Sequence, residues 1–138
     1  MKLVMVGTGY VGLVTGSCFA EFGYETVCVD KDHTRINELK NTKSPFFEPG
    51  MDELLLKHVK RTKLLSFTTS LTEAMHNADI VFITVGTPYL ISEKEADLSA
   101  VKEVAREVAA SIKKYTVVVT KSTVPPGTTK EIKKINRK

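Results

Sequence analysis

Residues 2–12 read KLVMVGTGYVG, an apolar run that leads directly into three glycines spaced G-x-G-x-x-G. A short apolar run bounded by glycine is typical of a buried strand, and the glycine spacing predicts a tight loop that opens a helix. Gly12, Gly16 and Ala20 follow at intervals of four, so they share one helix face that is small enough to approach a sheet closely. This stretch predicts the first strand, loop and helix of an alternating α/β fold.

The remainder of the chain continues the alternation of strands and helices. Clusters of apolar and β-branched residues predict strands, and apolar residues repeated at helical intervals predict helices. Four further strands are predicted over residues 25–29, 64–67, 79–85 and 116–120. Further helices are predicted to begin near residues 32, 51, 70, 97 and 128. This alternation predicts a Rossmann-type, doubly wound parallel sheet with helices on both faces.

Two of the helix starts carry a capping-box pattern, a hydroxyl residue followed three positions later by glutamate. The pairs are Ser70 with Glu73 and Thr128 with Glu131. The complete strand order 3-2-1-4-5-6 needs a sixth strand, which no segment of this sequence supplies. We therefore expect residues 1–138 to form one domain that is truncated before its final strand.

Composition and charge narrow the classes of partner. The net charge is +4, but the basic last segment lacks the interleaved aromatic residues of a single-strand nucleic-acid surface, so no nucleic acid is expected. No apolar run approaches the roughly 20 residues that span a bilayer. No signal-peptide pattern precedes the first strand, so we expect a cytoplasmic protein without a membrane partner. The basic residues of the last segment are Lys130, Lys133, Lys134, Arg137 and Lys138.

The glycine loop is the strongest functional signal, because it lies between a predicted strand and a predicted helix. In dinucleotide-binding loops the first glycine allows the tight turn, the second lets pyrophosphate approach the backbone and the third packs helix against strand. Gly7, Gly9 and Gly12 occupy these positions. The helix that follows would offer free N–H groups to the phosphates. A glycine turn without a ligand is the competing interpretation, and the strand–loop–helix context disfavours it.

Asp30 ends the second predicted strand, about 20 residues beyond the glycine loop, where an acid reads the ribose hydroxyls of NAD. Arg35 is competing evidence, since a nearby arginine can accept the 2′-phosphate of NADP. Asp30 ranks higher because it stands at the ribose-reading position itself, so NAD is the expected cofactor. Asp30 could instead cap the next helix, but Asp32 already supplies a cap candidate.

Hydroxyl side chains follow the fourth and fifth predicted strands, where open α/β sheets bind ligands. Thr87 lies in Gly86-Thr87-Pro88, and Thr123 lies in the segment KSTVPPG at residues 121–127. Such hydroxyls can hydrogen-bond a cofactor or a substrate. From spacing alone they can equally be turn and cap residues.

Several motifs occur together in a specific order: GTGYVG at residues 7–12, VDKD at 29–32, SPFFEPGMDELL at 44–55, VGTP at 85–88, ADLSAV at 96–101 and KSTVPPGT at 121–128. Over essentially its whole length the chain resembles the N-terminal NAD-binding domain of the UDP-glucose/GDP-mannose dehydrogenase family. FEPG and STVPPGT favour members that act on UDP-glucose, with GDP-mannose and UDP-N-acetylmannosamine as alternatives. Segment 89–96 departs from the family's usual glycine-containing loop.

The resemblance implies an oxidoreductase of polysaccharide biosynthesis that converts UDP-glucose to UDP-glucuronate. Two NAD are consumed, and a thiohemiacetal and a thioester form on a cysteine. That cysteine, a central helix and the nucleotide-sugar domain would lie beyond residue 138. Neither Cys18 nor Cys28 matches its motif, and no cysteine–histidine cluster predicts a metal. This chain alone is therefore expected to bind NAD without turning over substrate, and the full-length protein is expected to be a homo-oligomer.

The resemblance also implies which residues hold NAD. Val11, Asp30 and Arg35 would bind its adenosine and pyrophosphate side, whereas Thr87 and Thr123 would line the nicotinamide end. Thr123 would lie close to the reacting centre and assist catalysis. Glu48 matches a family glutamate without an assigned role. The complete expected set is Gly7, Gly9, Tyr10, Val11, Gly12, Asp30, Arg35, Thr87 and Thr123.

Two other classes of protein share the fold. A regulatory NAD-sensing module would have the same glycine loop and acid, but it does not need VGTP or STVPPGT. A methyltransferase also pairs a glycine loop with an acid, but its cofactor has no pyrophosphate and its loop seldom keeps all three glycines.

Overall fold

The computed structural model describes residues 1–91 and 95–135. Strands and helices alternate along the chain as predicted, starting with the strand, glycine loop and helix of the first segment. Their order is β1 (Lys2–Val6), α1 (Tyr10–Glu21), β2 (Glu25–Val29), α2 (His33–Lys40), α3 (Met51–Leu55, continued by a π-helical stretch at Leu56–Arg61), β3 (Leu65–Thr68), α4 (Leu71–Met75), β4 (Ile80–Ile83), β5 (Tyr89–Leu90), β6 (Glu95–Ala96), α5 (Ser99–Ser111), β7 (Val117–Thr120) and α6 (Thr128–Ile135).

Five strands form one parallel sheet in the order β3-β2-β1-β4-β7. β1 lies at the centre, with Met5 paired to Cys28 on one side and to Phe82 on the other. From β1 the chain continues to β2 and β3 on one side, and then to β4 and β7 on the other side. Such a change of direction places a ligand crevice at the carboxyl ends of β1 and β4. The predicted Rossmann-type sheet is therefore confirmed.

Apolar layers cover both faces of the sheet, as expected for parallel strands. Along β1, Leu3 and Met5 face the layer formed by α1, α2 and α3, whereas Val4 and Val6 face the layer formed by α4 and α5. All four side chains are buried. Among the described residues, no helix is both long and apolar enough to cross a membrane.

Two local features differ from the sequence-based expectations. The fourth strand is shorter than residues 79–85, because the chain leaves the sheet after Ile83. β5 and β6 form a small antiparallel hairpin that no pattern predicted; residues 92–94 between them lie outside the described residues. Of the basic last segment, Arg137 and Lys138 also lie outside the described residues.

The two predicted capping boxes have different outcomes. The Ser70 hydroxyl accepts a hydrogen bond from the backbone N–H of Glu73 at 3.2 Å, as expected for a cap. The Glu73 carboxylate instead accepts from the Thr68 hydroxyl at 2.8 Å, so only half of this box forms. Thr128 does not cap α6, because it is already the first helical residue and its hydroxyl donates to the carbonyl of Pro125 at 2.8 Å. Gly127, with φ of +94°, turns the chain into the helix instead. The prediction at Thr128 was therefore wrong.

The helix predicted to begin near residue 51 extends to Arg61 through a π-helical stretch. His58 within this stretch is buried, and its two ring nitrogens contact the Glu21 carboxylate at 2.5 Å and the Thr62 hydroxyl at 3.0 Å. Both ring nitrogens thus have polar partners, as a buried imidazole requires. This cluster connects the end of α1 to the π-helical stretch that continues α3.

The small face of α1 lets the helix lie close to β1 and β2. A β-carbon at Gly16 would lie 2.7 Å from Cys28 Sγ and 3.1 Å from Met5 Cγ. Cys28 is completely buried, and burial raises the pKa of its thiol to about 12. Cys28 is therefore a neutral packing residue beneath the helix.

We predict that Gly16→Ala destabilises the chain, despite the roughly 1 kcal/mol that alanine gains over glycine within a helix. Overpacking against Cys28 costs about 1–3 kcal/mol and exceeds that gain. Urea unfolding of Gly16→Ala, Cys28→Ala and the double variant measures the coupling. The cost of Gly16→Ala should fall when Cys28 is alanine. An equal cost in both backgrounds would show that the sulfur does not limit the approach of α1. Cys18→Ala, on the exposed side of the same helix, is the control.

Candidate cofactor site

A cavity of about 380 Å³ opens at the carboxyl ends of the central strands, on the side where the strand order reverses. The glycine loop after β1 forms one side of it, the turn after β2 a second, and α5 a third. Its lining residues are Val6, Gly7, Gly9, Val29, Asp30, Lys31, Arg35, Thr69, Leu71, Thr84, Val85, Gly86, Ala100, Glu103, Val104 and Glu107.

The three loop glycines meet different surroundings. Gly7 has φ of +107°, which side chains rarely adopt, and a β-carbon there would lie 2.9 Å from the carbonyl oxygen of Thr84. A β-carbon at Gly12 would lie 1.9 Å from the carbonyl oxygen of Gly7, so α1 and the end of β1 are in direct contact. At Gly9 no atom outside residues 8–10 lies within 4 Å of the corresponding position. The fold itself requires glycine at residues 7 and 12, whereas residue 9 faces open space.

The first turn of α1 begins beside this open space. Gly9 is the residue preceding the helix, and no side chain accepts a hydrogen bond from the first backbone N–H groups. An uncapped helix start concentrates partial positive charge and free donors, which suits an anion such as pyrophosphate. The open space at Gly9 gives such an anion room to approach.

Asp30 connects the turn after β2 to the glycine loop. Its Oδ2 accepts hydrogen bonds from the backbone N–H of Thr8 at 2.9 Å and from the Thr8 hydroxyl at 2.7 Å. Its Oδ1 accepts from the backbone N–H of Asp32 at 3.1 Å. The sequence did not single out Thr8, because nothing in the pattern shows that its side chain turns toward β2. Asp32, for its part, caps α2 by accepting from the backbone N–H of Arg35.

Arg35 forms an ion pair with Asp30, with 3.5 Å between Nη1 and Oδ2. Partial burial raises the pKa of Asp30, but the hydrogen bonds from Thr8 and Asp32 and the charge of Arg35 outweigh it, so the net shift is downward. Asp30 therefore stays ionised at neutral pH. The side chain of Arg35 lines the cavity and remains 39% exposed. Its positive charge is partly neutralised by the Asp30 carboxylate.

Tyr10 lies on the other side of the loop, against residues 44–50. Its ring stacks on Phe46 with 4.7 Å between centroids, and its hydroxyl donates a hydrogen bond to the carboxylate of Glu48. The structure thus gives Glu48 a partner that the sequence pattern did not. Val11, the next residue of α1, is 45% exposed. The SPFFEPG segment therefore supports the glycine loop from outside the cavity.

Thr87 and Thr123 come together where the loops after β4 and β7 meet. The Thr87 hydroxyl donates to the backbone carbonyl of Thr123 at 2.7 Å. The neighbouring Ser122 hydroxyl donates to the carbonyl of Val85 at 2.6 Å. These bonds hold the two loops together beside Gly86, which lines the cavity.

The family model for the NAD binding domain of the UDP-glucose/GDP-mannose dehydrogenase family matches this chain over residues 1–138. Among curated proteins, UDP-glucose 6-dehydrogenase of Rhizobium meliloti is 52% identical over 137 residues, which cover 99% of this chain and 31% of that protein. UDP-glucose 6-dehydrogenase TuaD of Bacillus subtilis is 44% identical, with 99% and 29% covered. The chain thus spans less than a third of the length of these relatives.

The fold is also similar to solved structures of this group. In the ternary complex of GDP-mannose dehydrogenase from Pseudomonas aeruginosa, the matching part has a TM-score of 0.92 and 35% sequence identity. The match covers 100% of this chain and 33% of that one.

We predict that Gly9→Ala leaves stability within about 0.5 kcal/mol of wild type, because its β-carbon meets no atom. The methyl group would occupy the space through which pyrophosphate approaches, so NAD affinity should fall at least about tenfold, or about 1.4 kcal/mol. Urea unfolding and calorimetric titration measure the two effects. Gly12→Ala is the matched control and should lose stability instead. Undiminished NAD binding by Gly9→Ala would place the pyrophosphate elsewhere.

Proposed function

Because this chain belongs to the UDP-glucose/GDP-mannose dehydrogenase family, of which it is the NAD-binding domain, we propose that it holds NAD in the cavity at the carboxyl ends of β1, β2 and β4. The observation that carries this placement is the open space at Gly9 beside the uncapped start of α1. The pyrophosphate lies there, on the first-turn N–H groups that include those of Tyr10 and Val11.

The adenine ribose of NAD lies against Asp30. Oδ2 of this carboxylate already accepts two hydrogen bonds from Thr8, whereas Oδ1 accepts one, from Asp32. Oδ1 therefore has the free acceptor capacity for a ribose hydroxyl. Arg35 borders the same end of the cavity and balances part of the phosphate charge. The nicotinamide end extends toward the paired loops of Thr87 and Thr123, with Thr123 close to the reacting centre.

The pairing of Arg35 with Asp30 favours NAD over NADP. A 2′-phosphate at the ribose would be brought against the ionised Asp30 carboxylate, and like charges in contact are unfavourable. For Arg35 to bind that phosphate, its ion pair with Asp30 would have to be exchanged for the new contact. The same acid thus attracts the ribose hydroxyls and repels the phosphate.

We predict that NAD binds this chain at least about tenfold more tightly than NADP, a difference of about 1.4 kcal/mol. Calorimetric titration with each dinucleotide measures it. Asp30→Ala should abolish NAD binding, because it removes both the ribose acceptor and the contacts that hold Thr8. Arg35→Ala should weaken NAD binding only modestly. A wild-type preference for NADP would overturn the role of Asp30 and transfer the recognition to Arg35.

We further propose that residues 1–138 are the N-terminal part of a longer, homo-oligomeric nucleotide-sugar dehydrogenase, followed by a central helix and a nucleotide-sugar domain. The longer protein oxidises the C6 alcohol of UDP-glucose to a carboxylate and transfers two hydrides to two NAD. A thiohemiacetal and then a thioester form on its cysteine. Cys28 cannot be that nucleophile, because it is buried and its pKa of about 12 keeps the thiol neutral.

The relatives that are named UDP-glucose 6-dehydrogenase, at 52% and 44% identity, support UDP-glucose as the substrate. The structural match to GDP-mannose dehydrogenase keeps GDP-mannose as the second candidate, and UDP-N-acetylmannosamine is the third. All three candidates carry a diphosphate, but GDP-mannose differs from the two UDP-sugars in its base as well as in its sugar ring. The proposed nucleotide-sugar domain would contact both parts. The discriminating residues therefore lie outside this chain.

We predict that the full-length protein forms two NADH per UDP-glucose, with kcat/KM for UDP-glucose at least about tenfold above that for GDP-mannose or UDP-N-acetylmannosamine, an activation difference of about 1.4 kcal/mol. NADH absorbance in the presence of each sugar measures the rate and the stoichiometry. A higher kcat/KM for either alternative sugar would replace UDP-glucose as the substrate. One NADH per sugar would contradict the two-step oxidation.

A further inference from the structure

The peptide between Gly7 and Thr8 is held from both sides. Its N–H, on Thr8, donates to Asp30 Oδ2 at 2.9 Å, on the side of β2. Its carbonyl, on Gly7, accepts from the hydroxyl of Thr84 at 3.0 Å, on the side of β4. The orientation of this peptide is therefore fixed by two side chains, each of which directly follows a strand that flanks β1.

The hydroxyl of Thr84 has one proton and two carbonyl oxygens within reach, those of Val6 at 2.9 Å and Gly7 at 3.0 Å. The carbonyl of Val6 already accepts the backbone N–H of Thr84 at 2.9 Å. The Gly7 carbonyl lies beneath Gly12, where a β-carbon would approach it to 1.9 Å. Since a buried carbonyl needs a donor, we place the hydroxyl proton mainly on Gly7.

Thr84 itself is only 6% exposed and follows directly after the apolar strand β4. Valine has nearly the same shape and would fit this environment equally well, but it has no hydroxyl proton. Serine keeps the proton and loses only a methyl group. Comparing valine with serine at residue 84 therefore separates the effect of the hydrogen bond from the effect of side-chain packing.

We propose that Thr84 is a positioning residue for the pyrophosphate of NAD. Through the Gly7 carbonyl it fixes the loop in the conformation with φ of +107° at Gly7, which directs Gly9 and the first turn of α1 toward the cavity. Without the hydroxyl, the Gly7–Thr8 peptide is held only from the side of Asp30, and the N–H groups that meet the phosphates are less firmly directed toward the cavity. This inference rests on the proposed placement of NAD.

The test compares Thr84→Val with Thr84→Ser and measures the Kd of NAD, ADP and adenosine well below the unfolding temperature of each variant. Calorimetry serves for NAD and ADP, and NMR titration serves for adenosine. Thr84→Val should weaken NAD and ADP at least about tenfold, equivalent to about 1.4 kcal/mol. Adenosine lacks the pyrophosphate, so its Kd should change less than about twofold, or about 0.4 kcal/mol. Thr84→Ser should bind ADP like wild type.

Thr26→Val is the matched control. Thr26 is also a buried threonine in the sheet, and its hydroxyl donates to the carbonyl of Tyr24 at 3.1 Å near the start of β2, the end of the strand opposite the cavity. Its loss should lower stability and leave the ratio of the ADP and adenosine Kd values unchanged.

The other outcomes are distinct. Equal weakening of ADP and adenosine by Thr84→Val would show that Thr84 acts only on the fold, and unchanged binding of both would show that the Gly7 carbonyl does not need it. Either result overturns the positioning role while leaving the cofactor site in place. If the wild-type chain failed to bind ADP, the proposed placement of NAD would itself be wrong.

Discussion

At Gly12 the first turn of α1 comes so close to the end of β1 that a β-carbon would lie 1.9 Å from the carbonyl oxygen of Gly7. This contact fixes where the helix starts and therefore where its free N–H groups are located. It is continued along the same helix face by Gly16, which lies against Cys28 and Met5. The position of the free N–H groups beside the cavity and the open space at Gly9 both depend on a helix that contacts the backbone directly.

The polar groups at the carboxyl edge are arranged around the same contact. Thr84 and Asp30 bond the two ends of the Gly7–Thr8 peptide, and Arg35 pairs with Asp30 on the side of the cavity. The carboxylate of Asp30 therefore has a structural task before any ligand arrives. Its downward-shifted pKa reflects this, because the bonds from Thr8 and Asp32 and the charge of Arg35 outweigh the effect of burial. Holding the loop and reading a ribose are compatible, since they use different oxygens.

The sequence predicted the features that follow from local patterns. The strand order followed from strand–helix alternation, and the small face of α1 followed from the spacing of Gly12 and Gly16. Contacts between distant residues left no local pattern: the Thr84 hydroxyl bonds a residue 77 positions away, and Tyr10 meets Glu48 38 positions away. The capping box predicted at Thr128 failed for a related reason. The pattern fits the residue types, but the turn geometry at Gly127 decides where the helix starts.

The contacts at the carboxyl edge form two separate sets. One set joins β1, β2 and β4 through Asp30, Thr8 and Thr84, and it holds the loop at which the adenosine side of NAD is proposed to lie. The other joins the loops after β4 and β7 through Thr87 and Ser122, at the proposed nicotinamide end. The second set is also anchored to the sheet, because the backbone N–H groups of Lys121 and Ser122 donate to the carbonyl of Ile83, the last residue of β4, at 2.9 and 3.1 Å. Both sets therefore meet at the end of β4, the first through the Thr84 hydroxyl and the second through the Ile83 carbonyl. A change at this strand end would shift the glycine loop and the loop of Thr123 together, so the two proposed ends of the cofactor are positioned by the same strand.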